Sequence, residues 1–291
     1  MRNSNKAIMT KMTVYSGNIR KMRASAEQNG EVEYALPIGD QLINMNPLIG
    51  SQVGVEFNQM INCVHCHSKT KKSFNQGYCY RCLMTLAQCD TCIIKPEKCH
   101  YDQGTCREPS WGEENCLNDH FVYLANTGTV KVGITRHVTE GVSSRWIDQG
   151  ATQAIAILRV KNRLLSGLAE TAFKQHIADK TNWRAMLKGQ PEQIDLVALR
   201  EQLFGAVEME LDNISSQYGL QAINLIDVPA VNIQYPVMHY PEKIKSINLD
   251  KELQFEGTLT GIKGQYWMLD QDRVINMRKY SGYDMKITTS V

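Results

Sequence analysis

Apolar and polar positions alternate with a period of two through "VYSGNIRKM", "EVEYALPI" and "SQVGVEF", the pattern of half-buried strands near the start of the chain. The alternation returns in "HFVYLAN" and "TVKVGIT", with a turn signal across Asn126–Thr129, so these two segments predict a β-hairpin. Beyond the hairpin the period changes. "SSRWIDQG" predicts a short helix with Ser143 or Ser144 as N-cap and Gly150 as its stop, and "TQAIAILRV" predicts a strand. "RLLSGLAETAFKQHI" predicts a helix with Leu165, Leu168, Ala169 and Phe173 on one face. The stretch Phe121 to Asn182 therefore reads β-β-α-β-α. Downstream, "KTNWRAML" predicts a short helix. A long one follows, with Pro191 near its start, Gly219 at its end and the stripe Leu196, Leu199, Leu203, Val207, Leu211 and Ile214 facing the sheet. Leu220 to Pro241 is β-like, and residues 1 to about 12 read as a frayed start.

The two ends of the chain share a spacing. Tyr34, Ile43-Asn44-Met45, Gly50, Val53 and Val55 recur at the same separations as Tyr266, Ile275-Asn276-Met277, Gly282, Met285 and Ile287, and "SGNIRK" corresponds to "EGTLTG" upstream. Residues 13–56 and 250–291 are thus expected to adopt one local fold, with Tyr34 on Tyr266. "GIKGQYW" lacks phosphate-loop spacing and reads as a strand turn, with a basic contact expected at Lys263.

All nine cysteines lie between residues 63 and 116, which points to metal rather than disulfides. Cys63-x2-Cys66 and Cys79-x2-Cys82 have zinc-ribbon spacing: each pair forms a tight knuckle presenting two thiolates, and two knuckles make one tetrahedral site. His65 and His67 are expected to be bystanders. A second set is expected from Cys89, Cys92, Cys99 and Cys106, with His100 and Cys116 as open substitutes and iron–sulfur as an open alternative to zinc. Four protein ligands leave no open position, so both sites are expected to be structural. Between Cys63 and Cys82, Lys69, Lys71, Lys72 and Arg81 interleave with Phe74, Tyr78 and Tyr80, and no acid is present. That mixture suits phosphate contact and base stacking. From Leu83 to His120 the balance turns acidic.

Composition changes the picture only at the margins. The 291 residues, 43% hydrophobic and 21% charged, are enough for about two domains. A net charge of +2 excludes a global polyanion magnet, and the longest apolar run, Ala154 to Leu158, is too short to span a bilayer. The expected setting is cytoplasmic, with no membrane partner and no small-molecule cofactor.

The β-β-α-β-α order, with Phe121-Val122-Tyr123 on its first strand and Lys131-Val132-Gly133 on its second, resembles the GIY-YIG nuclease superfamily. Lys131 stands where the second motif carries Tyr. Arg145 and Glu170 fall where the superfamily has its helical Arg and metal-binding Glu, and Asn182 falls where its repair branch has Asn. The resemblance implies a metal-dependent endonuclease cleaving DNA or structured nucleic acid. In it, Tyr123, Lys131, Arg145, Glu170 and Asn182 are catalytic, and Glu170 binds Mg2+ or Mn2+ on an accessible face of the sheet. The residue types suit phosphodiester cleavage, with a carboxylate for the cation, an Arg for the phosphate and a Tyr or Lys for the proton of water. The alternative is a nucleic-acid-binding or assembly protein on a nuclease-like core without turnover. The full arrangement also resembles a bacterial family of unknown function. The expected fold is α+β: an N-terminal β module (13–56), a cysteine-rich metal-binding region holding one or two Zn2+ (57–118), the GIY-YIG-like core with the long helix (119–219) and a C-terminal β module (220–291).

Overall fold

A computed structural model describes residues 12–290. The expected frayed start therefore lies outside the described residues, apart from Met12, which opens a strand. Met12–Asn18 (β1), Arg23–Ser25 (β2), Glu33–Ile38 (β3) and Gln41–Asn44 (β4) lead through a 3-10 turn into the long strand Gln52–Asn62 (β5). Lys69–Thr70 (β6) and three short helices, Tyr80–Thr85 (α1), Thr91–Ile94 (α2) and Pro109–Cys116 (α3), make up the cysteine-rich region. Next come His120–Asn126 (β7), Val130–Thr135 (β8), Ser144–Asp148 (α4), Gln153–Val160 (β9) and Arg163–Phe173 (α5). Trp183–Leu187 (α6) and Leu196–Tyr218 (α7) follow, then Ile223–Leu225 (β10), Val231–Asn232 (β11) and Lys245–Ser246 (β12). The chain closes with Gln254–Lys263 (β13), Tyr266–Leu269 (β14), Arg273–Asn276 (β15) and Tyr283–Ser290 (β16). The fold is mixed α+β with several sheets.

The central sheet runs β10-β9-β7-β8, with β11 also on β9, all antiparallel. Both of its faces are covered. Val122, Leu124, Val132, Ile155 and Ile157 pack with Leu165, Ala169 and Phe173 of α5 and Leu203 and Val207 of α7. Tyr123, Ala125, Ala154 and Ala156 pack the other way, into one core with the β strands of the chain's two ends. Two-sided cover explains why β7 and β9 are apolar along most of their length, as buried strands are. β10 and β11 follow α7 yet belong to this sheet, so the segment just after residue 220 extends the core.

The two ends exchange strands. Their sheet runs β1-β16-β5-β13, so each end's first strand pairs with the other end's last strand. Val55 lies opposite Ile287, Val53 opposite Thr289 and Phe57 opposite Met285. Tyr15 lies opposite Ile287 as Phe255 lies opposite Val55. These reciprocal registers describe a local two-fold relation through the Val55–Ile287 pair. Each end also carries a hairpin, β3-β4 or β14-β15, and a 3-10 turn before its last strand.

The hairpins differ by one residue. Met45 N–H donates to the Tyr34 carbonyl and Met277 N–H to the Gln265 carbonyl, so register sets Tyr34 against Gln265 rather than the expected Tyr266. The reason is the loop: Gly39 and Asp40 join β3 to β4, whereas Asp270, Gln271 and Asp272 join β14 to β15. Tyr34 and Leu36 thus point into the same core as Trp267 and Leu269.

Two other expectations need correction. α7 begins at Leu196 rather than near Pro191, because Asp195 caps it by accepting the N–H groups of Val197 and Ala198 at 3.1 and 2.9 Å. The residues before it are held extended by the sheet end: Asn126 Nδ2 donates to the Glu192 carbonyl, and the Gln153 side chain bonds both backbone groups of Ile194. Lys263 makes no surface contact. It is fully buried, donates to the Gly189 carbonyl at 2.9 Å and lies between the rings of Tyr235 and Tyr240.

Candidate functional site

The end of β5 delivers the first candidate metal centre. Cys63 N–H donates to the Ser68 carbonyl and His67 N–H to the Cys63 carbonyl, closing a tight turn that places Cys63 and Cys66 side by side, with His67 at φ 60°. The second knuckle is the Phe74–Tyr78 turn running into α1, whose N-cap is Cys79. The Val64 N–H to Gly77 carbonyl bond ties the two knuckles together. The sulfurs of Cys63, Cys66, Cys79 and Cys82 all lie within 4.8 Å of one another, and Cys66 Sγ is 3.8 Å from Cys79 Sγ. A tetrahedral zinc with bonds of about 2.3 Å requires sulfur separations of about 3.8 Å, so the donor set fits a thiophilic ion such as zinc. His65 and His67 are exposed and outside the set.

The remaining cysteines group as three of the favoured four, with the open substitute Cys116 in place of Cys89. Cys92, Cys99, Cys106 and Cys116 line one small cavity. Cys89 does not line it; it packs with Cys79 and Tyr78 against Cys63, Cys82 and Leu86. The cause is local: the 3-10 turn Ala87–Cys89 keeps Cys89 beside α1, while α3 returns its last residue, Cys116, to the cavity.

A third cluster forms around β8. Tyr123 pairs with Gly133 across the β7-β8 hairpin, and a Cβ on Gly133 would meet the Tyr123 hydroxyl at 2.5 Å. The missing side chain therefore lets the Tyr123 ring lie across β8, edge-on to Trp146 at 5.7 Å. Its hydroxyl donates to Gln149 Oε1 at 3.0 Å. α4 supplies Trp146 just before Gln149, and Ser143 caps that helix by accepting the Arg145 N–H at 3.2 Å. Burial pushes the Tyr123 hydroxyl up to about 12, with Arg145 and Gln149 pulling it down and Glu170 raising it. Lys131, two residues before Gly133, drops to about 8 through burial and Arg145, against the pull of Glu170 and Asp179. Burial raises the Glu170 carboxyl, opposed by Lys174 and Lys131. Lys174 Nζ is 3.1 Å from Glu170 Oε2 and 3.6 Å from Asp179 Oδ2.

These groups share one electrostatic neighbourhood, yet not one open face. The Tyr123 side of the sheet is opposite the side on which α5 packs, and Tyr123 is 0% exposed, Lys131 6% and Glu170 9%. Arg145 is the exposed member. The expected accessible face thus fails at Tyr123, because the β strands of the chain's ends cover it. Asn182 is exposed and caps α6 by accepting the Ala185 N–H at 3.2 Å, which accounts for it without chemistry. Sequence reasoning missed Lys174, Asp179 and Gln149. Only Lys174 had a signal, its i,i+4 spacing from Glu170.

Among the described residues no helix is long and apolar enough to cross a membrane. Fold and sites together define a mixed α+β protein whose four close knuckle cysteines can hold a metal ion such as zinc. The chain belongs to the family described as "Protein of unknown function (DUF2797)", which matches residues 50–285. No curated protein and no solved structure matches the chain.

Metal-binding energy in a four-thiolate site is folding energy, so both Cys82→Ser and chelation of the native chain should lower the thermal midpoint, read by circular dichroism. A variant that loses its zinc without loss of stability would contradict this. Lys131 at about 8, against its ordinary 10.5, means that the folded chain gives up a proton that the unfolded chain keeps between those pH values. Stability is therefore lost as pH falls from 10.5 towards 8 and the cost is complete below. Lys131→Met should gain on the order of 1–3 kcal/mol at pH 7, and the gain should vanish near pH 10.5, by urea unfolding. A destabilised variant at pH 7 would make Lys131 a packing residue.

Proposed function

We propose that this chain is a metal-dependent phosphodiester-cleaving protein of the GIY-YIG kind acting on DNA or structured nucleic acid. The observation that carries the reading is that Tyr123 and Lys131 both lie in the fields of Arg145 and Glu170, with Glu170 raised and Lys131 lowered in their proton affinities. Burial moves the acid up and the base down, and groups tuned in this way are what acid–base chemistry near neutral pH uses. Glu170 is the carboxylate suited to Mg2+ or Mn2+, and the ion, when bound, supplies charge stabilisation at phosphate. Arg145, exposed, grips two phosphate oxygens. Lys131 at about 8 is the better acceptor for the proton of water; Tyr123, at about 12 and sealed, orients Gln149 and its neighbours instead. Beside the first knuckle, Lys69, Lys71 and Lys72, together with Lys279 paired to Asp250, line an open groove of about 890 Å³, and its first three lysines suit a phosphate backbone.

A second reading rests on a specific observation. Tyr123 is closed off and Lys174 occupies the Glu170 carboxylate, which favours a nucleic-acid-binding or assembly protein without turnover. The deciding experiment incubates single-stranded, duplex and branched DNA and RNA with native chain and Glu170→Gln, with and without Mg2+ or Mn2+. The enzyme reading expects metal-dependent cleavage that falls roughly 100-fold in the variant, with an unchanged unfolding midpoint. Salt-sensitive binding without cleavage selects the second reading, and neither activity removes both.

A further inference from the structure

Cys92, Cys99, Cys106 and Cys116 come from four separate turns of chain and meet at a cavity of about 10 Å³, the space of a single small particle. Cys92 and Cys116 are buried, Cys99 and Cys106 half-buried. All four border this one cavity, Cys92 from α2, Cys116 from the end of α3 and Cys99 and Cys106 from the chain between them, and a Cβ on Gly112 of α3 would lie 3.3 Å from Cys106 Sγ, so Cys106 sits against the helix that carries Cys116. Asp90 and His100 border the same space, and with Cys92 they form a trio within 4.8 Å. Both are already engaged. Arg107 Nε is 2.6 Å from Asp90 Oδ2, His100 Nε2 is 3.6 Å from the same oxygen, and His100 Nδ1 lies 2.8 Å from Thr105 Oγ1. Four thiolates about a divalent ion leave two negative charges, and the Arg163 guanidinium, which donates to the Cys92 carbonyl, is placed to offset them.

Arg163 also links this cluster to the central sheet. It opens α5 and donates to the carbonyls of Cys92 and Ile93 at 3.2 and 2.6 Å. Further along α5, a Cβ on Gly167 would lie 2.1 Å from the backbone nitrogen of Glu97, so the loop between Cys92 and Cys99 packs backbone against helix. Glu170 sits less than one turn beyond Gly167.

We propose that Cys92, Cys99, Cys106 and Cys116 bind a second thiophilic divalent cation of the zinc class, and that this centre holds the helix carrying Glu170 in place. The metal claim stands whether or not the charged cluster cleaves phosphodiesters.

The test measures metal per chain by elemental analysis, and amide exchange across Arg163–Phe173, on full-length protein purified under reducing, chelator-free conditions. Native chain should carry two zinc ions. Cys116→Ser should carry one, with α5 exchange about tenfold faster or more, and Cys89→Ser should carry two with exchange unchanged. One ion in the native chain, two in Cys116→Ser, or loss of the second in Cys89→Ser overturns the ligand set. Loss in His100→Asn instead selects the trio with Asp90 and Cys92, and iron in place of the second zinc overturns the metal class. Two zinc ions in the native chain with α5 exchange unchanged in Cys116→Ser leave the centre and overturn its role in placing the helix. Should Cys116→Ser fail to fold, Co2+ titration of metal-free native chain still decides: two equivalents with thiolate charge-transfer absorption support the proposal, one overturns it.

Discussion

The candidate site depends on a side chain that is absent. With only hydrogen on Gly133, the Tyr123 ring crosses its neighbouring strand and brings its hydroxyl to Gln149, within the fields of Arg145 and Glu170. Any Cβ there would occupy the space of that hydroxyl, and a packed interior does not absorb such an overlap cheaply. Burial then sets the chemistry. A tyrosine without solvent keeps its proton, while a lysine and a carboxylate half-paired in the same low-dielectric region move towards each other in proton affinity.

The rest of the molecule braces that arrangement from two sides. The strand-exchanged ends, pivoting on Val55 and Ile287, supply the apolar cover over Tyr123 and Trp146. On the other side, α5 is pinned at its start by Arg163 and at Gly167 by the cysteine-rich loop, so the placement of Glu170 is tied to the fold of residues well before it in sequence. The first knuckle, by contrast, grows from the end of β5 and borders the lysine groove.

Much of this was legible in the chain because it is local. β7 and β9 were readable from alternation and apolar runs, α4 from its Ser143 cap and Gly150 stop, and the first four-cysteine cluster from two CxxC spacings. What escaped was decided by tertiary contact. The extra loop residue in the β14-β15 hairpin slides Tyr266 away from the place of Tyr34, although sequence spacing is gapless. Asn126 and Gln153 hold the residues before Asp195 extended, so Pro191 cannot start a helix there. Cys116, an open substitute by spacing, takes the place of Cys89 because α3 folds back, and linear spacing does not encode that choice. The closure over Tyr123 likewise comes from strands at the far ends of the chain, so its accessibility could not be read from the hairpin that carries it.

For phosphodiester cleavage, Glu170 must exchange its lysine partner for a divalent cation beside Lys131 and Arg145. Anomalous diffraction from crystals soaked in Mn2+ tests that exchange most directly. The predicted result is a manganese peak at coordination distance from the Glu170 carboxylate, with Lys174 displaced from it. Glu170 still paired with Lys174, and manganese only at exposed carboxylates elsewhere, would contradict it.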